Sequence, residues 1–156
     1  MTKEELRRTL LARRRSQSAG EVDAASRIVL GRLQTTVDWP SLGSVHVYCS
    51  VPAWRELDTG ELIAWLRSEW PQIELTMPSP SRDQPFPEQS FDLCVVPVLG
   101  FDRDHNRLGL GGGWYDRFLA RQPQAAKIGI AYAWALVEEG IPVEPWDVRL
   151  DRVVSG

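Results

Sequence analysis

An apolar run and the glycine-rich run that follows it are the strongest indications of the fold of this chain. The first is Phe91-Asp92-Leu93-Cys94-Val95-Val96-Pro97, and the second is Arg107-Leu108-Gly109-Leu110-Gly111-Gly112-Gly113-Trp114-Tyr115-Asp116-Arg117. The continuously apolar part, Leu93–Pro97, predicts a central strand of a parallel sheet. A helix is predicted from residue 114 to residue 121. Strand, glycine loop and helix start form an arrangement that binds phosphate, because glycines let the backbone approach an anion and N–H groups point at it.

The rest of the chain repeats the alternation of strands and helices. Helical patterns cover residues 3–18 and 21–36, and a third helix begins after a cap at Asp58 or Thr59. Further strands are predicted at residues 45–49, 73–77, 127–132 and 151–154. Residues 78–90 contain four prolines and predict a connector. This alternation predicts an α/β fold: a three-layer single domain spanning residues 1–156, with a central, largely parallel sheet.

Composition limits the classes of function. The chain has 156 residues and a formal net charge of −3, so no global field attracts it to nucleic acid or to acidic lipid. Its apolar runs are shorter than a membrane span, and its charged N-terminus lacks the apolar core of a signal peptide. We therefore expect a cytoplasmic protein with no nucleic-acid or membrane partner. Cys49 and Cys94 are predicted to be buried free thiols; a disulfide or a metal pair is the alternative.

The glycine loop departs from the two standard nucleotide motifs. A P-loop needs Gly-Lys-Ser/Thr after its glycines, where this chain has Trp114, and a dinucleotide fingerprint follows the first strand directly. A turn without a ligand is therefore one interpretation. Arg107 and Asp116 favour the other, because an arginine pairs a phosphate bidentately and a carboxylate can bind Mg²⁺ beside it.

The predicted N-terminal helix carries a second basic group. Thr2 is placed to cap it, with Glu5 as the partner in a capping box. Lys3, Arg7 and Arg14 fall near one face of an ideal helix, and Arg8 and Arg15 fall on an adjacent face. The alternatives for this group are a solvated charged face and an anion-binding face.

Together these pieces resemble the 5-formyltetrahydrofolate cyclo-ligase family. The strongest match runs from Pro97-Val98-Leu99-Gly100-Phe101-Asp102 into residues 106–119. Supporting matches are Lys3-Glu4-Glu5-Leu6-Arg7, Glu56-Leu57-Asp58-Thr59, Ile141-Pro142-Val143-Glu144-Pro145, and Asp147 with Leu150-Asp151. The resemblance covers the chain from Lys3 to about Val154.

The resemblance implies a reaction. In it, 5-formyltetrahydrofolate is converted to 5,10-methenyltetrahydrofolate with ATP and Mg²⁺: ATP phosphorylates the formyl oxygen, and N10 then attacks the activated carbon. The expected partners are the folate substrate and ATP, and the expected state is a monomer. One alternative is a catalytically degenerate, nucleotide-binding relative that acts as a binding or regulatory module, and another is a different ATP-dependent enzyme with another substrate.

The resemblance also implies roles for individual residues. Arg107 and Tyr115 are expected to be catalytic, and Asp116 and Asp147 to bind Mg²⁺. The expected ATP-binding residues are Lys3, Arg7, Arg107, Gly109, Gly111, Gly112, Gly113, Trp114 and Tyr115. The expected folate-binding residues are Glu56, Asp58, Leu110 and Trp114.

Three of these positions have structural alternatives. Asp58 could serve only as a helix cap, Asp147 only as the end of a turn, and Tyr115 only as a packing residue. The chain also departs from the usual family pattern, with Trp114, Ala135 and Trp146 where the family usually has Tyr, Gln and His. Its connector at residues 78–90 is shorter than usual. These departures lie mainly on the folate side of the expected site.

Overall fold

A five-stranded parallel sheet forms the centre of the protein. The computed structural model describes residues 1–78 and 85–156. The strands are β1 (Ser44–Val47), β2 (Glu74–Thr76), β3 (Leu93–Pro97), β4 (Gly100–Phe101), β5 (Arg107–Leu108), β6 (Ala126–Ala131) and β7 (Arg152–Ser155). The order in the main sheet is β2-β1-β3-β6-β7, and each neighbouring pair is parallel. The predicted α/β class is confirmed, and β3 is the buried middle strand that its apolar run predicts.

Four helices flank the sheet: α1 (Lys3–Arg15), α2 (Ala19–Thr36), α3 (Gly60–Glu69) and α4 (Trp114–Ala120). The predicted capping box of Thr2 and Glu5 is present at the start of α1. At α3, Thr59 occupies the cap position, but the Oδ1 atom of Asp58 accepts the hydrogen bond from the N–H of Gly60 at 2.8 Å. Within the described ranges, no helix combines the length and apolar character needed to cross a membrane.

Aromatic side chains take part in the packing of the helices on each other and on the sheet. Trp39 joins α2 to α3, because its indole N–H donates to the Leu33 carbonyl and its ring meets Trp65 at 5.4 Å between centroids. On β1, the side chain of His46 packs against Phe118 of α4 at 4.6 Å. The β1-α3-β2 and β3-α4-β6 crossovers run in opposite directions along the sheet. Right-handed connections therefore place α3 and α4 on opposite faces.

An antiparallel hairpin of β4 and β5 fills residues 100–108, for which the sequence predicts no strand. Two-residue strands leave no alternating pattern to detect. Asp102 organises the turn between them, accepting hydrogen bonds from the backbone of Asp104, Asn106 and Ile141. Burial alone raises the pKa of Asp102, but its hydrogen bonds outweigh burial and hold the pKa below the ordinary value.

A cluster of buried apolar side chains packs α1 against this hairpin. Its buried members come from α1, from the hairpin and from the segment after β6: Leu6, Leu10, Leu99, Leu108, Val137 and Ile141. The packing is close, because a Cβ atom on Gly100 would lie 2.5 Å from Cδ1 of Leu10. The position of α1 over the carboxyl ends of the strands is therefore fixed by packing.

The two cysteines are free, as the sequence predicts. Cys94 lies in β3 and is buried, and burial raises the pKa of its thiol to about 12. The expectation that Cys49 is buried is wrong. Since β1 ends at Val47, Cys49 falls beyond the strand and is half-buried.

Candidate active site

A cleft of about 1480 Å³ lies where three segments of the chain meet. Its lining comes from residues 1–5 and 7 at the start of α1, from residues 107–117, and from residues 142 and 144–148. All of the residues expected to bind ATP line this cleft, and so do Leu110, Asp116 and Asp147. The fold thus gathers segments that lie at the two ends and in the middle of the chain.

The glycine loop is shaped by its contacts with two arginines. The Nε atom of Arg7 donates to the carbonyl of Gly109 at 3.1 Å, which ties the loop to α1. A Cβ atom at Gly109 would lie only 2.9 Å from Nη1 of Arg107. Gly113 stands at the cap position of α4 with a φ of 69°, a left-handed conformation that glycine adopts readily. The glycines therefore allow close approach to Arg107 and set the direction of the chain into α4.

Arg107 lies at the base of the cleft with 5% of its side chain exposed. Its Nη1 atom donates to the carbonyl of Pro97 at 3.1 Å, at the end of β3. Its Nη2 atom lies 3.6 Å from Oδ2 of Asp116, and its guanidinium lies 5.7 Å from the ring centre of Tyr115. Contacts with the sheet and with α4 therefore hold the guanidinium in place.

The two carboxylates expected to bind Mg²⁺ share one wall of the cleft. Oδ1 of Asp116 accepts from the N–H of Val148 at 3.2 Å, which places α4 beside the residue that follows Asp147. Oδ2 of Asp147 accepts from the N–H of Glu144 at 2.7 Å and pairs with Nζ of Lys3. Asp147 therefore ends a turn, which is the purely structural role considered for it, and it also lines the cleft.

This donor set fits a metal that phosphate oxygens help to bind. Across residues 1–78 and 85–156, no group of three or more His, Cys, Asp and Glu side chains is arranged as a metal site. Mg²⁺ in phosphate-transferring sites takes only one or two carboxylates and completes its shell with phosphate oxygens and water. Asp116 and Asp147 match that requirement, and Arg107 and Lys3 beside them bring the positive charge that a polyphosphate needs.

Tyr115 and Trp114 are buried at the inner end of the cleft. The hydroxyl of Tyr115 lies 3.3 Å from Nε2 of His46, and the ring of Trp114 packs against Phe86 and Phe118. Burial lowers the pKa of His46 to about 4, so its imidazole is neutral near pH 7. Tyr115 thus packs against the sheet while also lining the cleft. The sequence does not indicate the contact between Tyr115 and His46, because His46 is a single histidine in an apolar strand.

Glu56 lies outside the cleft. It is buried, and its Oε2 atom accepts from the N–H of Val51 at 2.8 Å. With Arg14, Tyr48 and Pro97 it lines a separate cavity of about 10 Å³, roughly the space of one water molecule. The cavity lies at the carboxyl ends of β1, β3 and β6, near the point where the connections reverse direction, a common ligand position in α/β sheets.

Asp58 also lies outside the cleft, and its side chain is exposed. Besides capping α3, its Oδ1 atom accepts from the hydroxyl of Ser50 at 3.3 Å. The structure therefore does not bring Glu56 and Asp58 together with the ATP-side residues in one open site. Their folate-binding roles stay predictions.

The cleft also contains functional candidates that no sequence motif indicates. Arg117 donates from Nη1 to the carbonyl of Gly112 at 2.9 Å and so supports the glycine loop from α4. Trp146 lines the cleft with 68% of its surface exposed, and Glu144 closes the turn beside it. The sequence marks Trp146 only as a departure from the His that the family usually has before Asp147.

The fold and the site together define an α/β protein with a cleft suited to phosphorylated ligands. Comparison with known proteins gives the family. The sequence profile of the 5-formyltetrahydrofolate cyclo-ligase family matches residues 67–156, more than half of the chain. The chain therefore belongs to this family.

Similar proteins carry the same description. A 5-formyltetrahydrofolate cyclo-ligase of Mycoplasma pneumoniae is 39% identical over 71 residues, which are 45% of this chain and 42% of that protein. The Escherichia coli K12 enzyme of the same name is 36% identical over 94 residues, 54% of this chain and 51% of the relative. The matched segments thus span about half the length of these relatives.

A solved structure extends the likeness to nearly the whole chain. The structure of a 5,10-methenyltetrahydrofolate synthetase from Mycoplasma pneumoniae superposes with a TM-score of 0.81 at 25% identity. The superposition covers 99% of both chains. The fold is therefore similar from end to end, including the part of the chain before residue 67.

Proposed function

We propose that this protein is an ATP- and Mg²⁺-dependent 5-formyltetrahydrofolate cyclo-ligase. The observation that carries the proposal is the cleft: the residues that the resemblance assigns to ATP lie together there, with both proposed Mg²⁺ ligands. Membership of the family and the end-to-end similarity to a synthetase support it. A cytoplasmic location and a monomeric state stay predictions.

The proposed chemistry explains the residue types in the cleft. An amide-like formyl oxygen is a poor leaving group, so ATP would phosphorylate it and release ADP. N10 would then attack the carbon and lose its proton, and the oxygen would leave as inorganic phosphate. Phosphoryl transfer depends mainly on positioning and charge neutralisation, so it needs no nucleophilic side chain. Lys3, Arg7 and Arg107 would contact the phosphates, and Tyr115 would hold the guanidinium of Arg107 in position through its ring.

Asp116 and Asp147 would bind the metal ion. When bound, Mg²⁺ would neutralise charge on the phosphate oxygens and orient them. The carboxylates are already held at one wall, by the Val148 N–H and by the Glu144 N–H. Lys3 and Arg107, which pair with these carboxylates, would have to share them with the ion.

We place the folate head group beside Glu56. The Pro97 carbonyl, which accepts from Arg107, belongs to a residue of the cavity lining, so this cavity adjoins the base of the cleft. Helix α1 reaches both sites, with Arg7 on the cleft and Arg14 on the cavity. Because the cavity is only about 10 Å³, folate binding requires its wall to open.

The test is turnover of the purified protein with 5-formyltetrahydrofolate, ATP and Mg²⁺. We expect methenyltetrahydrofolate to form, detected by its near-ultraviolet absorbance, and the signal to vanish when ATP or Mg²⁺ is omitted. No ATP-dependent signal would contradict the proposal. If ATP with Mg²⁺ still raised the melting temperature in that case, the protein would be the nucleotide-binding module of the alternative, since a ligand of the native state stabilises it.

A further inference from the structure

Trp146 is a large aromatic side chain left uncovered inside the cleft. It is 68% exposed, whereas Trp114, which also lines the cleft, is buried. Leu110, from the glycine loop, is 38% exposed in the same cleft. Covering an indole with another flat ring removes much apolar surface from water and adds stacking energy. The cleft therefore offers exposed apolar surface in addition to its basic groups and carboxylates.

The backbone that carries Trp146 is held in place by two contacts. The N–H of Asp147 donates to the carbonyl of Glu144 at 3.0 Å, which closes a four-residue turn with Pro145 and Trp146 in its middle. The same turn is anchored to α1 by the pair of Asp147 with Lys3. Pro145 and these two contacts fix the backbone at Trp146. When a ring stacks on the indole, only the rotations of the side chain become restricted, so little entropy is lost.

The position of Trp146 indicates which ring it would meet. Trp146 directly precedes Asp147, and Lys3 pairs with that carboxylate, so the indole lies next to the polar groups expected to hold polyphosphate and Mg²⁺. Glu56 and Asp58, two of the expected folate contacts, lie outside the lining of this cleft, whereas Leu110 and Trp114 line it; the folate head group is placed beside Glu56. A ligand with its phosphates at the glycine loop would have its base, rather than the folate ring, within reach of Trp146.

We propose that Trp146 is a stacking platform for the base of the nucleotide and so determines affinity for the base. The inference rests on the proposed nucleotide-binding function and extends it from the triphosphate to the base. Stacking between a base and an aromatic side chain is strong enough to change affinity by about tenfold or more on truncation to alanine. Phosphate contacts elsewhere in the cleft do not depend on this side chain.

The test compares MgATP with inorganic tripolyphosphate and Mg²⁺ by calorimetric titration of the full chain. In W146A we expect the ATP affinity to fall by about tenfold and the tripolyphosphate affinity to stay unchanged. W146F should restore most of the ATP affinity, since phenylalanine keeps a flat ring. The matched control is W54A, because Trp54 is also exposed, at 41%, but lies outside the cleft; its ATP affinity should equal that of the wild type.

Three results would overturn the stacking role. One is an unchanged ATP affinity in W146A while tripolyphosphate binds normally. Another is an equal loss of affinity for both ligands, which would show a structural effect on the loop. The third is a loss of 5-formyltetrahydrofolate affinity with ATP affinity intact, which would assign the indole to the folate ring. If the wild type bound neither ATP nor tripolyphosphate, the proposed function itself would fail, and the stacking role with it.

Discussion

Arg7 and Arg8 are neighbours on α1 that differ in what they face. Arg7 lines the cleft and donates to the Gly109 carbonyl, whereas Arg8 is exposed and lies outside the cleft. Both carry the same charge on the same helix. The pair therefore separates a phosphate contact from a general effect of positive charge.

We expect Arg7→Ala to weaken ATP binding by about 10- to 100-fold, because a hydrogen bond from a charged donor contributes about 1.5–3 kcal/mol. Arg8→Ala should change the affinity by no more than about twofold, as expected for an exposed charge. Calorimetric titration with MgATP measures both. Equal losses in the two variants would contradict a specific contact from Arg7.

His46 is a residue whose burial has a consequence for stability. Its imidazole is fully buried between β1 and α4, and the ordinary pKa of 6.5 is lowered by burial to about 4. The folded state therefore favours the neutral form. Above pH 6.5 the imidazole of His46 is neutral in both the folded and the unfolded protein, so its titration does not lower the free energy of unfolding there.

As the pH falls from about 6.5 to about 4, the unfolded chain takes up a proton at His46 before the folded protein does. The contribution of His46 to the free energy of unfolding should fall by about 3 kcal/mol across this range and level off below it. The His46→Gln variant should lack this part of the decline, whatever its stability at pH 7. Urea unfolding of both proteins at several pH values measures the difference, and parallel pH curves would refute it.

At the residue scale, the sequence predicted which side chains gather but not all of their contacts. The resemblance brought Lys3, Arg107 and Asp147 to one site, and the structure lines a single cleft with them. The pairing of Lys3 with Asp147 joins the two ends of the chain, and no local pattern carries such information. The contact of Tyr115 with His46 depends on packing across the sheet for the same reason.

The glycine loop is the element on which the site depends. Its last glycine, Gly113, has a φ of 69°, whereas at Gly112 a Cβ atom would meet nothing within 4 Å. Alanine disfavours the left-handed conformation by about 1–2 kcal/mol. The two neighbouring positions therefore differ in what they tolerate.

We predict that Gly113→Ala lowers the free energy of unfolding by about 1–2 kcal/mol, because its backbone must stay left-handed to begin α4. Gly112→Ala should change the free energy of unfolding by less than about 0.5 kcal/mol, since it meets no neighbour. Urea unfolding curves of the two variants provide the comparison. A loss at Gly112 as large as that at Gly113 would contradict the described loop conformation.

Among the secondary-structure elements, those with a strong local sequence pattern are predicted correctly and those with a weak pattern are not. Leu93–Pro97 is the strand that its apolar run indicates, and Thr2 caps α1 as the capping box requires. The β4-β5 hairpin escaped prediction because its strands have two residues each and are held by Asp102 and by packing under α1. Tertiary contacts, rather than local sequence preference, form that element.

The whole molecule places its two proposed subsites on either side of the end of β3. The cleft lies under the N-terminal part of α1, and the Glu56 cavity lies near Arg14 farther along the same helix. Leu6 and Leu10 fasten α1 to the hairpin between these regions. If the cavity opens, ATP bound in the cleft and the formyl group of a folate bound beside Glu56 would face each other across Arg107 and Pro97.

The cleft is proposed to hold the triphosphate and its metal ion. The most direct measurement is a crystal structure of the protein with Mg²⁺ and a non-hydrolysable ATP analogue. We expect the triphosphate against Arg7, Arg107 and the glycine loop, with Mg²⁺ between the carboxylates of Asp116 and Asp147. A nucleotide bound at another surface, with neither arginine within hydrogen-bonding distance of a phosphate oxygen, would contradict the assignment of the cleft as the ATP and Mg²⁺ site.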